Sequence, residues 1–531
     1  MRTPTRRSVL GASLTVAGTG ILAACSDPGS AGRGGSVATG PQGYVDPAGK
    51  EVAAAEKRRA ASGGGAVRTV RLTAARTSLD LGEREVTSWA YGDALPGKEI
   101  RVTAGDTLAV TLANHLPEAT SLHWHGIALR NDMDGVPGLT ERAIEPGADF
   151  PYRFTVPHPG TYWLHPHAGV QLDRGLYAPL IVDDPKEPLS YDKEWVVVLD
   201  DWLDGVDGST PDAVFEELTG GRGMSMDMSG GTGDSGHDMS GMPTPTQSSP
   251  SPSGPSRMMS DSESDLLGGD AGDVAYPYYL VNGRTAKAPS VFEARPGDRI
   301  RVRFVNAGGD TAFRVALGGH EMTVTHTDGF PVRHAPTDAL LIGMGERYDV
   351  LVTAGDGVFP LTALAEGKSA STMALLRTGG GSAPSATARP QELDGRLLTA
   401  DRLTADESVA LEPKSPDRTI RIRLTGRMTQ YDWAFDNTPY TPSQRHPVRA
   451  GERVRLEFVN RTAMWHPLHL HGHTFALADV TGGPRKDTAI VLPRNTLRVD
   501  FDADNPGLWM VHCHNVYHAE AGMMTVLGYE S

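Results

Sequence analysis

The chain has 531 residues, with 50 Lys and Arg against 65 Asp and Glu, a formal charge of −15 with histidine neutral. That length accommodates three domains of ordinary size, and the acidic balance gives no footing for nucleic-acid binding while mildly favouring cationic substrates. Only two cysteines occur, Cys25 and Cys513, which excludes a framework of disulfides.

The N-terminus reads as an export signal. Thr5-Arg6-Arg7-Ser8-Val9-Leu10 is similar to a twin-arginine motif, and Leu22-Ala23-Ala24-Cys25 resembles a lipobox. The apolar stretch between them is too short and too weak to span a bilayer. Residues 1–25 are therefore read as a lipoprotein signal, with Cys25 as the lipidation site; an ordinary secretory signal is the alternative. Residues 26–65 are low in complexity and are expected to form a flexible tether. The expected location is the outer face of the cytoplasmic membrane, held by the lipid.

From Val67 onward strand-like segments recur between Gly/Pro turns, as in Trp195–Leu199 and Arg301–Val305, and amphipathic helices are scarce. This predicts an all-β chain of sandwich domains. One short pattern occurs three times: Gly105-Asp106 to Asn114, Gly297-Asp298 to Asn306, and Gly451-Glu452 to Asn460. The Gly-to-Asn spacing is identical, so the chain holds three similar units. They are placed at 66–187, 193–378 and 417–531, with a linker at 379–416.

Counting on from each Asn, the first copy reaches His123 and His125 and the third reaches His469 and His471; the second has Val315 and Leu317. A second repeat agrees. Pro159-Gly160 leads to His165 and His167, Pro506-Gly507 leads to His512 and His514, and Gly357 leads to Thr362 and Leu364. Each His-x-His pair on a strand presents both imidazoles on one face, about 6.6 Å apart. The outer domains thus carry metal ligands, the middle one carries none, and a shared site must lie between domains one and three.

The middle unit contains an insert at about 220–269. It holds Met224, Met226, Met228, Met239 and Met242, then Met258 and Met259, in a context of Gly, Ser and Pro that builds no core. Soft thioethers select Cu(I), so these methionines are candidates for holding that ion, as a lid or as a collecting arm. The bland alternative is a neutral insertion.

The third unit has ligands that the first lacks. His466 falls where the first has Thr120, Cys513 where it has Pro166, His518 where it has Gln171, and Met523 where it has Leu176. Two imidazoles, a thiolate and a weak thioether make a blue-copper set. On a strand His512 and His514 point away from Cys513, toward the shared site, so the cysteine can pass electrons from one centre to the next.

These motifs together resemble those of the multicopper oxidases, over about Val67 to the C-terminus. The resemblance implies cupredoxin-like Greek-key sandwiches and four copper ions. Type 1 copper would be held by His466, Cys513, His518 and Met523, type 2 by His123 and His469, and the type 3 pair by His125, His165, His167, His471, His512 and His514. It further implies one-electron oxidation of a small reducing substrate, coupled to reduction of dioxygen to water. Asp134 matches the family's acid near the cluster, or is an Asp-Gly turn residue. In members that oxidise Cu(I), a methionine and an acid near the type 1 histidines hold the substrate ion; here they are Met464 and Glu520. A further acid of that pattern is replaced by Thr462. Copper tolerance is the expected role, with a laccase acting on phenols, a ferroxidase, or more remotely a non-catalytic cupredoxin as alternatives. The protein is expected to be a monomer with no nucleic-acid partner.

Overall fold

A computed structural model describes residues 43–220 and 254–531. The lipidation candidate Cys25, the signal, and Met224, Met226, Met228, Met239 and Met242 lie outside them. Within the described residues the regular structure is mostly strand, arranged as three pairs of sheets and one two-stranded sheet. The first pair is four-stranded on each side: Glu85–Tyr91, Val67–Asp80, Thr107–His115 and Asp149–Thr155, against Ile100–Thr103, Ala178–Asp183, Gly160–His165 and His123–His125. The second pair has six strands in each sheet, and the third has six and five.

The sequence repeat has a structural cause that is the same in all three units. Each Gly takes a positive φ (Gly105 93°, Gly297 86°, Gly451 87°), a turn conformation that costs glycine little. The acid that follows accepts a backbone N–H three residues back, from Thr103, Arg295 and Arg449 respectively. The strand then runs to the Asn, which is buried and staples the next connection. Asn114 Nδ2 donates to the carbonyls of Glu118 and Ile144. Asn306 Nδ2 donates to those of Thr311 and Ile342. Asn460 Nδ2 donates to those of Met464 and Val491. The connection held in this way is the one that enters the ligand strand in units one and three.

Two expectations need correcting. The low complexity of 26–65 predicts a tether, but Lys50–Gly63 is an α-helix. Its Ala, Glu, Lys and Arg residues are strong helix formers. It buries Val52 and Ala55, accepts the Thr155 N–H on Glu56, and bonds Asn505 through Arg59. The low-complexity insert is expected to run to about 269, but its tail is built into the fold. There Leu267 is buried, Glu263–Ser264 pairs with Gly269–Asp270, and Ser264 Oγ donates to Glu366.

Candidate metal centres

The ligand strands come together as their spacing requires. His123–His125 lies antiparallel to Gly160–His165, with His123 opposite His165. His466–Leu470 lies antiparallel to Leu508–Cys513, with His469 opposite His512 and Leu468 opposite Cys513. The imidazoles of the two outer domains meet face to face. The His123 and His471 rings stack at 3.8 Å, as do those of His125 and His469. His512 Nε2 lies 3.1 Å from His471 Nε2 and 3.4 Å from His167 Nε2. His514 completes the cage beside His125 and His165, at ring distances of 4.9 and 5.3 Å.

Four of these rings are aimed by a backbone carbonyl at the outer nitrogen. The Nδ1 atoms of His123, His165, His469 and His512 lie 2.8–2.9 Å from the carbonyls of Asp134, Pro166, Asp487 and Cys513. Asp134 is buried and spans the domain boundary: its carbonyl meets His123, and its Oδ2 lies 2.8 Å from His471 Nδ1. Asp132, by contrast, forms an ion pair with Arg130. His473 sits behind the cage, its Nε2 2.7 Å from the Tyr529 hydroxyl.

Among the described residues the middle domain offers no candidate ligand, yet it touches the cage. Arg347 is fully buried and makes a bidentate pair with Asp487, at 2.7 and 2.6 Å. It also donates to the carbonyl of Thr161, so one guanidinium joins all three domains. Asp487 in turn lies 3.1 Å from His125 Nε2. Burial alone would push its carboxyl up, but the Arg347 guanidinium and its hydrogen bonds hold it well below the usual range. A Cβ on Gly126 would collide with both partners of that pair, and one on Gly345 would stand 2.8 Å from the His514 ring and 3.0 Å from that of His125. Sequence spacing carries no sign of Arg347, Gly345 or Asp487. The available hint is a charge within the Gly-Glu-Arg and Arg-Lys-Asp segments, which has no fixed offset from any ligand.

The second centre lies within domain three. Cys513 Sγ is 3.7 Å from both His466 Nδ1 and His518 Nδ1. The Cys513 N–H donates to the Met523 carbonyl, and the Met523 N–H to that of His518, closing a loop around the sulfur. Met523 is fully buried in the same core cluster as Cys513, whereas Met524 packs into a separate one with Val136 and Met510. The position of the absent acid is explained as well: Thr462 Oγ1 lies 2.9 Å from His466 Nε2 and fixes that ring. His518 Nε2 lies 2.8 Å from Asp273 Oδ2, which also accepts from the Tyr431 hydroxyl. Asp273 is a middle-domain residue that no sequence motif singles out.

Met464 and Glu520 fall in different surroundings. Met464 is buried and pairs through its backbone with Asp270. Glu520 lines a cavity of about 340 Å³ with Glu118, Asp212 and the cage histidine His167. Burial and then the Asp212 charge push Glu520 up to about 7.

The residues fit metal ions. His123 Nε2, His125 Nδ1, His165 Nε2, His469 Nε2 and both nitrogens of His514 are buried with no hydrogen-bond partner, a costly state unless an ion takes their lone pairs. Burial and neighbouring histidines hold His165, His167, His471 and His514 well below the usual range, which favours neutral imidazoles with a lone pair to offer an ion. Ligand atoms of His167, His471 and His512, and of His466, Cys513 and His518, fall within 4.8 Å of one another.

Comparison with known proteins decides the family. Models described as multicopper oxidase match residues 73–187, 257–381 and 413–530. The chain is 48% identical to multicopper oxidase MmcO of Mycobacterium tuberculosis, over 99% of this chain and 96% of that protein. The chain belongs to the multicopper oxidases. Its relatives include a copper resistance protein A homolog of Pseudomonas syringae pv. tomato, 29% identical over 85% of this chain and 90% of that one. Among solved multicopper oxidases, Fet3p aligns with a TM-score of 0.68 at 23% identity, over 87% of this chain and 90% of that one. A laccase from Botrytis aclada aligns with a TM-score of 0.63 at 24% identity, over 88% of each chain. The shared fold is three cupredoxin domains, and the chain is a copper-dependent oxidoreductase that passes electrons from a reducing substrate to dioxygen.

Proposed function

We propose that the substrate is Cu(I) and that the enzyme serves copper tolerance. The observation that carries this is the cover over the mononuclear centre. Among the described residues His466 and His518 are fully buried, so neither presents an exposed ring edge to a phenol. Beside them stand the Asp273 carboxylate on His518 and Asp270 beside Met464. Burial, and then the charge of Asp273, push the Asp270 carboxyl up, which is the condition of an acid pair that a cation would relieve. Carboxylate and thioether groups suit a copper ion better than an aromatic ring. The relatives named copper resistance protein A agree with this reading.

Four copper ions would be held as the family pattern implies. The mononuclear set is His466, Cys513, His518 and Met523; His123 and His469 take type 2 copper; His125, His165, His167, His471, His512 and His514 take the type 3 pair. Bound copper supplies reversible one-electron chemistry at each centre. The chain supplies the connection, because Cys513 is covalently joined to His512 and His514 on the cage. Asp134, bonded to cage residues of both outer domains, is placed to hold or deliver a proton at its Oδ2. Four Cu(I) ions yield four electrons, and dioxygen with four protons leaves as two waters. Export, lipid attachment at Cys25, placement on the outer face of the cytoplasmic membrane, and a monomeric state complete the proposal; lipid labelling abolished by Cys25→Ala tests the anchor.

Oxygen uptake by the copper-loaded protein with Cu(I), Fe(II) and a simple phenol tests the substrate. Fast turnover of Cu(I) and weak turnover of phenol is the expected result. Strong phenol turnover with poor Cu(I) oxidation would make the protein a laccase.

A further inference from the structure

The segment that joins the two metal centres, from Cys513 to His518, is gripped from the middle domain. Asn515 follows the cage residue His514 and opens the short helix Val516–Glu520 that carries His518. Its Oδ1 accepts the N–H groups of Tyr517 and His518, which caps that helix, and its own N–H donates to the Cys513 sulfur. Its Nδ2 donates to Asp310 Oδ1 at 2.6 Å. The Val516 N–H adds a bond to the Gly309 carbonyl at 3.0 Å.

Asp310 uses its other oxygen on the far side of the same site. Oδ2 accepts the N–H groups of Asp273 and Val274, both at 3.0 Å, and Asp273 is the acid that meets His518. One carboxylate therefore holds both ends of the Asp273–His518 contact, the acid through its backbone and the histidine through the Asn515 cap. The counter-charge is Lys368, as fully buried as Asp310 itself. Lys368 Nζ donates to Asp310 Oδ2 at 2.6 Å and to Thr311 Oγ1 at 3.0 Å. Gly272 leaves room for this pair, since a Cβ there would stand 2.6 Å from Asp310 Oδ2 and 2.7 Å from Lys368 Nζ. A buried ion pair gains little stability over apolar residues of the same volume, so what this pair positions explains it better.

We propose that Asp310, with Lys368 as its counter-charge, is a positioning residue that sets the reduction potential of the mononuclear centre from the middle domain. Domain three supplies the candidate ligands; Asp310 sets the aim of the His518 ring and of the N–H that faces the cysteine sulfur. Hydrogen bonds around that sulfur and behind a ligating histidine tune a copper centre. The proposal rests on the mononuclear copper set given above and not on the choice of substrate.

The test uses the full-length, copper-loaded protein. Asp310→Asn keeps the volume but has one acceptor oxygen where the carboxylate has two. Redox titration should show a higher mononuclear potential, because the unbalanced Lys368 charge favours the reduced ion. The blue absorption maximum and the copper hyperfine splitting should shift, with copper content unchanged. Adding Lys368→Met should bring the potential back down and leave the hyperfine shift in place. Asn515→Ser still offers a capping oxygen to the helix but is too short to reach Asp310. It leaves the buried pair intact, so it serves even if Asp310→Asn does not fold, and it should reproduce the hyperfine shift with a smaller change in potential. A potential and spectrum equal to those of the unsubstituted protein, in Asn515→Ser or in folded Asp310→Asn, overturns the proposal. Loss of mononuclear copper from Asn515→Ser overturns it too, since the contact would then only hold the loop together. An unsubstituted protein with no blue signal would instead remove the mononuclear assignment itself.

Discussion

The two metal centres lie next to each other on the strand Leu508–Cys513 and its continuation, yet they draw on different amounts of the protein. The mononuclear centre takes its candidate ligands from His466 to Met523 of one domain, and it is closed by local bonds such as Cys513 N–H to the Met523 carbonyl. The histidine cage takes its candidate ligands from two domains and is braced by a third. Arg347 of the middle domain holds Asp487, and Asp487 meets His125. A site built from one stretch depends on local turns. A site built across domains depends on how the domains are locked together, and the middle domain here does the locking with no candidate ligand among its described residues.

Substitutions at the lock should separate the centres. Arg347→Met leaves the Asp487 carboxylate buried and unpaired, which costs about 3–5 kcal/mol. Metal analysis and thermal unfolding should show a large fall in stability and in cage copper, while the blue chromophore survives in whatever remains folded. Gly345→Ala sets a Cβ 2.8 Å from the His514 ring at a φ of 82°. The combined strain and overlap should cost about 2–4 kcal/mol, again with cage copper lost before the blue colour.

The opposite separation comes from Asp273. Asp273→Asn keeps a polar partner for His518 but removes the charge. The KM for Cu(I) should rise about tenfold, the factor that about 1.4 kcal/mol represents, and redox titration should show a higher mononuclear potential with cage copper intact. The smallest effect is expected at the helix Lys50–Gly63. Val52→Ala should cost about 1–2 kcal/mol in denaturant unfolding and leave both centres and turnover unchanged.

The same contrast decides what the sequence could disclose. Ligands at fixed offsets were legible because the strand period and the domain repeat set those offsets: His123 and His469 sit at one repeat position, His165 and His512 at another. Met523 is named by spacing, and the fold buries it in the core cluster that holds Cys513. The braces were not legible, since Arg347 meets Asp487 and Asp273 meets His518 across separations that no local rule fixes. Glu520 is named by its offset from His518, and spacing gives no hint that it lines a cavity with His167. The helix Lys50–Gly63 escaped for another reason. Its Ala, Glu, Lys and Arg content is a usable signal, but the low complexity of the preceding stretch masks it.

In the proposed path electrons enter at Cys513 and leave through the cage. That path is tested by Cys513→Ser, read by optical absorption, copper content and oxygen uptake together. The blue absorption should vanish, and with it oxygen uptake for every reducing substrate, while the histidine cage keeps its copper. Oxygen uptake retained in that variant would contradict the assigned path.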